Sequence, residues 1–152
     1  MRRFVWRLQR VLDIRTKEEQ IRRAELFELT EKLAGARSEL IFRRKLLDSL
    51  IEDLGQADAC RRLREQEFFL KYSATIDEQI KNSEKKVGLL EKEQKAKIAE
   101  VIEARKRKEV LEKLRTEAKR KFVEEQEKLE QKEMDERTTM SYARKIIEQS
   151  FV

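Results

Sequence analysis

Proline and histidine are absent from this chain of 152 residues, which also has only three glycines and a single cysteine. Average composition predicts roughly eight prolines at this length, so the backbone lacks the residue that most strongly interrupts a helix. Cys60 has no second cysteine with which to form an internal disulfide, and without histidine it cannot belong to a Cys/His zinc cluster. A cysteine nucleophile activated by histidine is excluded for the same reason.

Long apolar runs are missing too. No segment approaches the ~20 apolar residues of a membrane span. Residues 1–15 carry an arginine every few positions instead of the apolar centre of a secretory signal, and the sequence has no glycine-rich phosphate loop. We therefore expect a cytoplasmic protein that is not an enzyme and that binds no metal or cofactor.

What the chain does contain is typical of long helices. It is 45% charged and 39% hydrophobic, and its bulk consists of Glu, Lys, Arg, Leu, Gln and Ala, which are the best helix formers. So much charge is also compatible with disorder, but the apolar residues recur with helical periodicity. This combination predicts an all-α coiled coil.

A first seam of apolar residues alternates steps of three and four, the spacing of a coiled coil. Its members are Leu26, Leu29, Leu33, Ala36, Leu40, Arg43, Leu47, Leu50 and Leu54. Only Arg43 interrupts the apolar row. Toward the N-terminus the same phase turns polar and then apolar again, through Arg22, Glu19, Arg15, Leu12, Leu8 and Val5.

The segment LGQADAC, residues 54–60, is the best candidate for a chain reversal. Gly55 follows the last seam leucine, as a glycine that ends a helix does, and Asp58 can cap the next helix. These signals predict helix 1 at about 2–54, a turn at about 55–59 and helix 2 at about 60–150. The predicted fold is a single elongated domain, 1–152, in which two long helices form an antiparallel coiled-coil hairpin with an extended C-terminal helix.

The second half carries a matching seam, whose apolar members are Phe69, Ile76, Ile80, Val87, Leu90, Val101, Ala104 and Leu111. Folding the chain at Asp58 pairs residues whose numbers add to about 116. The pairs predicted by this register are Leu47–Phe69, Leu40–Ile76, Ala36–Ile80, Leu29–Val87 and Leu26–Leu90, with the polar pairs Arg43–Ser73, Arg22–Gln94 and Glu19–Lys97.

The register leaves a C-terminal tail. Val5 would meet Leu111, so about 40 residues from Glu112 onward have no predicted partner within the chain. An isolated helix is marginal in water, so we expect this tail either to fray or to bind another protein.

Three of the chain's ten aromatic residues (seven Phe, two Tyr and one Trp) lie within five positions: Phe68, Phe69 and Tyr72. Phe69 falls on the seam and is expected in the core. Phe68 and Tyr72 are four residues apart and lie one position off the seam, about 100° around the helix. Two interpretations remain open: the rings fold over the seam near the turn, or they form an exposed patch that docks a partner.

The N-terminal end is basic, with five arginines and one aspartate in the first fifteen residues. The predicted register also brings Arg105, Lys106, Arg107 and Lys108 near them. This charge fits a solvated face, a docking surface for an acidic protein or a nucleic-acid surface. Nucleic acid is disfavoured, because glutamate is interspersed and no base-reading asparagine recurs at helical spacing.

Three segments together resemble the flagellar export protein FliJ family, the central stalk of type III secretion. They are FVWRLQRVLDIRTKEEQ (4–20), FFLKYSATIDEQI (68–80) and LEKLRTEAKRKFVEEQEKLEQKEMDE (111–136). The resemblance covers most of the chain, and the order and spacing of the segments are more specific than their composition. The final MSYARKIIEQSFV is more apolar than the family pattern, so no role is carried over to it.

The resemblance implies a fold like the gamma subunit of rotary ATP synthases, standing in a hexameric ATPase ring. The implied partners are the export ATPase, the cytoplasmic domain of the export gate membrane protein, and export chaperones. We expect the gate contact at Phe68, Tyr72 and Ile76, and the ATPase contact at Arg2, Arg3, Arg7 and Arg10. The protein would be a monomeric hairpin that associates with the inner-membrane apparatus only through these partners.

Two other classes remain open. A stalk of a non-flagellar type III secretion system would have nearly the same sequence features, and the genomic neighbourhood would separate the two. An unrelated coiled-coil scaffold would dimerise, whereas a self-contained hairpin would keep a monomeric mass in sedimentation at several concentrations.

Overall fold

The computed structural model describes residues 3–151, and within this range the chain forms two α-helices. Helix α1 spans Gln9–Gln56 and helix α2 spans Ala59–Ser150. Only Ala57 and Asp58 connect them. The all-α helical hairpin predicted from composition and periodicity is confirmed.

Helix α1 begins at Gln9, not near residue 2 as the sequence predicted. Residues 3–8 lie outside the helix. The segment Phe4–Trp6 contributes two aromatic side chains and one β-branched side chain, which lose rotamer freedom in a helix. These residues therefore give little local reason to extend the helix toward the N-terminus.

The chain reversal lies where it was expected, but its chemistry differs. Gly55 is inside α1, and no residue of the described chain has a positive φ, so the predicted glycine cap is wrong. Asp58 does precede α2, and its carbonyl oxygen accepts a hydrogen bond from the Arg62 amide at 2.8 Å. The Arg62 guanidinium also donates to the Gly55 carbonyl at 3.3 Å. This cation satisfies one of the carbonyls that a helix end leaves unpaired.

The chain divides into two compact units. The hairpin unit is Lys17–Arg105, and the terminal unit combines Met1–Thr16 with Lys106–Val152. In the hairpin unit the two predicted seams form the core: the buried side chains are Leu33, Ala36, Leu40, Ile76, Ile80 and Val87, with Leu47, Leu50 and Leu90 packed against them. Periodicity therefore identified the correct face of each helix.

The register between the two seams differs from the prediction by about one heptad. Cross-helix hydrogen bonds join residues whose numbers add to between 122, for Arg22 with Glu100, and 128, for Arg37 with Glu91. The predicted value was about 116. Arg43 accordingly reaches the hydroxyl of Ser83 and the Gln79 carbonyl, the latter at 3.4 Å, and not Ser73.

Oppositely charged side chains meet across the hairpin in the observed register. A slide of seven residues places seam positions opposite seam positions again, so both registers bury apolar rows. The cross-helix ion pairs include Arg22–Glu100 at 3.2 Å, Arg37–Glu91 at 2.8 Å, Arg44–Glu84 at 2.6 Å and Lys97–Glu25 at 3.0 Å. The predicted register would also place acidic residues opposite these cations, for example Glu93 opposite Arg22 and Asp77 opposite Arg44, so the sign of the charges does not select between the two registers.

In the terminal unit the ring of Phe4 packs on that of Phe122, with centroids 5.4 Å apart and planes tilted by 54°. The expectation that the chain lacks an internal partner from Glu112 onward is therefore wrong, because Phe122 has one. From residue 127 to 151 every residue is exposed, although α2 continues to Ser150. The fully exposed tail thus begins about fifteen residues later than the predicted unpaired tail.

Candidate partner-binding surfaces

The aromatic cluster lies in the first part of α2, close to the turn of the hairpin unit. Phe68 and Tyr72 are one helical turn apart, and their rings stack with centroids 4.6 Å apart and an interplanar angle of 28°. Their exposed fractions are 55% and 51%. The two rings are therefore not core residues. Phe69, which was expected in the core, is half-buried.

These rings form one wall of a groove, which we name the turn groove. Leu50 and Leu54 of α1 lie on one side, and Phe68, Phe69 and Tyr72 of α2 on the other. The groove has a volume of about 220 Å³. The rings fold partly over the seam leucines and also present an apolar surface to solvent, so each of the two sequence interpretations is partly right.

Two carboxylates, Asp53 and Glu65, complete the lining of the turn groove. Neither has a hydrogen-bond or ion-pair partner among residues 3–151. Sequence reasoning missed both of them, because they lie on different helices and only the register brings them to the same groove. Charged residues beside a seam look like ordinary solvated positions when each helix is considered alone.

Ile76 is the third residue of the predicted gate contact, and it lies in the core, so its part in that contact stays a prediction. Its side chain is 7% exposed and lies in the core of the hairpin unit beside Ile80. A residue packed in this way supports the helix that carries the aromatic stack.

The predicted ATPase contact lies in the terminal unit. Arg3 and Arg7 belong to the segment before α1, Arg10 lies in the first turn of α1, and all three are exposed. Arg2 lies outside the described residues. The structure therefore leaves three of the four predicted arginines accessible, while their role stays a prediction.

A closed ring of four ion pairs joins the helices in the polar part of the hairpin unit. Arg22 contacts Glu25 at 3.3 Å and Glu100 at 3.2 Å, and Lys97 contacts the same two carboxylates at 3.0 Å and 3.2 Å. The hydrogen bond from Lys97 holds the pKa of Glu25 below its ordinary value of 4.5. The same bond raises the pKa of Lys97 above its ordinary value of 10.5.

The outer face of α1 carries exposed aromatic side chains that the sequence analysis did not single out, namely Phe27 and Phe42.

Within residues 3–151 there is no group of three or more acidic, histidine or cysteine side chains placed to hold a metal ion. In the same range, no helix is long and apolar enough to cross a membrane.

A helical hairpin that exposes an aromatic groove and charged segments belongs to the class of coiled-coil proteins. The family model described as "Flagellar FliJ protein" matches residues 4–146. The chain belongs to the FliJ family, as its resemblance predicted. It is thus a component of the flagellar export apparatus, with a part in flagellum biogenesis and protein export. No curated protein and no solved structure matched the chain.

Proposed function

We propose that this chain is a non-enzymatic stalk that links the hexameric export ATPase to the cytoplasmic domain of the membrane export gate. The observation that carries this proposal is the Phe68–Tyr72 stack, whose rings are more than half exposed. Exposed aromatic residues are unfavourable in water, and aromatic side chains are common hot spots of protein interfaces. The stack is therefore assigned to the gate.

The ATPase contact is assigned to the basic N-terminal segment with Arg2, Arg3, Arg7 and Arg10. Support comes from the exposure of the three described arginines and from the exposed part of α2 beyond residue 127. A ring of ATPase subunits with acidic inner surfaces would attract this segment electrostatically. The same exposed helix offers room for export chaperones, which are the third class of partner proposed.

Cellular location follows from these contacts. The protein would stay in the cytoplasm as a monomeric hairpin and reach the inner membrane only through the gate and the ATPase. Family membership sets aside the unrelated scaffold. Sedimentation at several concentrations tests the monomer.

The gate contact is tested by truncating the stack in Phe68→Ala with Tyr72→Ala. Because both rings are mostly exposed, the free energy of unfolding should stay within about 1 kcal/mol of the parent. Binding to the purified cytoplasmic domain of the gate, measured by calorimetry, should be lost, and export in cells should fail.

Matched controls make this test specific. Leu63→Ala with Leu70→Ala removes two apolar side chains that are more exposed, on the same part of α2 and outside the turn groove, and should leave binding unchanged. Ile76→Ala should reduce stability and binding together, because Ile76 is core. Parental affinity in the Phe68/Tyr72 variant would refute the assignment of the gate contact.

A further inference from the structure

The turn groove is suited to a single side chain of a partner protein. Its volume of about 220 Å³ is below the ~300–1,000 Å³ of typical small-molecule sites. Leucines on α1 and aromatic rings on α2 provide the apolar contacts. A large aliphatic or aromatic side chain could enter such a groove and bury its surface there.

The carboxylates of the turn groove restrict what can accompany that side chain. Asp53 and Glu65 line the same cavity and have no ion-pair partner among residues 3–151. A partner that covered them with apolar groups would remove two charges from water without compensation, which is costly. A basic group on the partner would instead supply charge-assisted hydrogen bonds.

The surrounding charge favours the same partner. Residues 48–78, which form the turn end of the hairpin unit, include eight acidic and four basic residues, a net charge of −4 in a chain of +6. The acidic end therefore attracts a basic ligand, although the chain as a whole is basic.

We propose that the turn groove binds a segment of the gate's cytoplasmic domain that presents one large apolar side chain next to a lysine or arginine. The apolar side chain packs against Leu54 and the Phe68–Tyr72 stack, and the cation pairs with Asp53 and Glu65. This inference rests on the proposed function, because it specifies the chemistry of the same contact.

The test neutralises the two carboxylates without changing their shape, in Asp53→Asn with Glu65→Gln. Calorimetry with the purified cytoplasmic domain of the gate should show about tenfold weaker binding at low salt, as expected when charge-assisted bonds are lost. The matched control is Glu52→Gln with Glu67→Gln. It removes the same charge from exposed neighbours outside the groove, and its affinity should change by less than about twofold.

Salt provides a second measurement. Binding of the parent should weaken between about 50 and 500 mM NaCl, and binding of the Asp53/Glu65 variant should depend less on salt. Parental affinity in the groove variant, equal losses in both variants, or salt-independent binding of the parent would each overturn the inference.

The outcomes separate the inference from the proposed function. If truncation of Phe68 and Tyr72 abolishes binding while neutralisation of Asp53 and Glu65 does not, the gate contact stands and its basic partner is wrong. If neither change affects binding, or the parent does not bind the gate domain, both the proposed gate contact and the groove assignment are wrong.

Discussion

Truncation of Leu33 measures how strongly the seam stabilises the hairpin unit. This side chain is 1% exposed and is the most deeply buried large residue described. Removing its three outer carbon groups loses about 2.4 kcal/mol at ~0.8 kcal/mol each. The cavity left behind adds to this loss, and buried leucines typically cost ~2–5 kcal/mol in total. We expect Leu33→Ala to lower the free energy of unfolding by about 3 kcal/mol.

The same substitution on the outside of the hairpin unit is the control. Leu89 lies on α2 and is 63% exposed. Only about a third of the hydrophobic free energy worked out for Leu33 applies to this side chain, roughly 0.9 kcal/mol, and its removal leaves no closed cavity. Alanine is also a slightly better helix former than leucine, which offsets part of this loss. We expect Leu89→Ala to change the free energy of unfolding by less than about 1 kcal/mol.

Urea denaturation followed by far-ultraviolet circular dichroism compares the two variants. With a slope of ~1–3 kcal/mol per molar urea, a difference of about 2 kcal/mol separates their midpoints by about 1 M. Equal midpoints would refute the reasoning, because the buried and exposed leucines would then contribute alike. The seam would not be the main source of stability in that case.

Three further predictions concern charge and exposure. Ionised Glu25 should stabilise the hairpin above its ordinary pKa of 4.5 and lose this effect as pH falls through its lowered pKa, so Glu25→Gln should flatten the acid side of the melting profile. Glu28→Gln, which affects only a pair with Lys32 on the same helix, should not do so. Changing the N-terminal arginines Arg2, Arg3, Arg7 and Arg10 to glutamate should weaken ATPase binding, and added salt should weaken binding of the parent. Binding that is independent of salt and survives the substitutions would contradict this contact. Hydrogen exchange should show that the exposed part of α2 beyond residue 127 gains protection when the ATPase is added, and unchanged exchange would place the contact elsewhere.

Local sequence was sufficient for the helices and their buried faces. Helix-forming composition without proline predicts long helices, and the 3-4 spacing selects Leu33, Leu40 and Ile80 as core residues, as the structure confirms. It was also sufficient for the position of the reversal, because Asp58 is a helix-starting residue at the end of the first seam. These properties depend on neighbours a few positions apart in the chain.

The register could not be predicted in the same way. A heptad slide moves one helix by about 10 Å along the other and still places apolar rows face to face. The observed pairs, such as Arg44 with Glu84, join residues 40 positions apart in sequence. A slide of one heptad would place Arg44 opposite Asp77 instead, so neither periodicity nor the sign of the charges chose between the registers. Local propensity likewise predicted α1 too early, because it did not count the weak helix preference of Phe4–Trp6.

The sequence by itself thus determined that the chain is a helical hairpin, which faces its helices bury and that an aromatic pair lies off the seam. The tertiary structure decided which heptads meet and where the tail becomes exposed. It also brought Asp53 and Glu65 to opposite sides of one apolar groove. The physical reason is that periodicity sets the direction of each side chain around its own helix, whereas the position of one helix along the other depends on contacts between residues far apart in sequence.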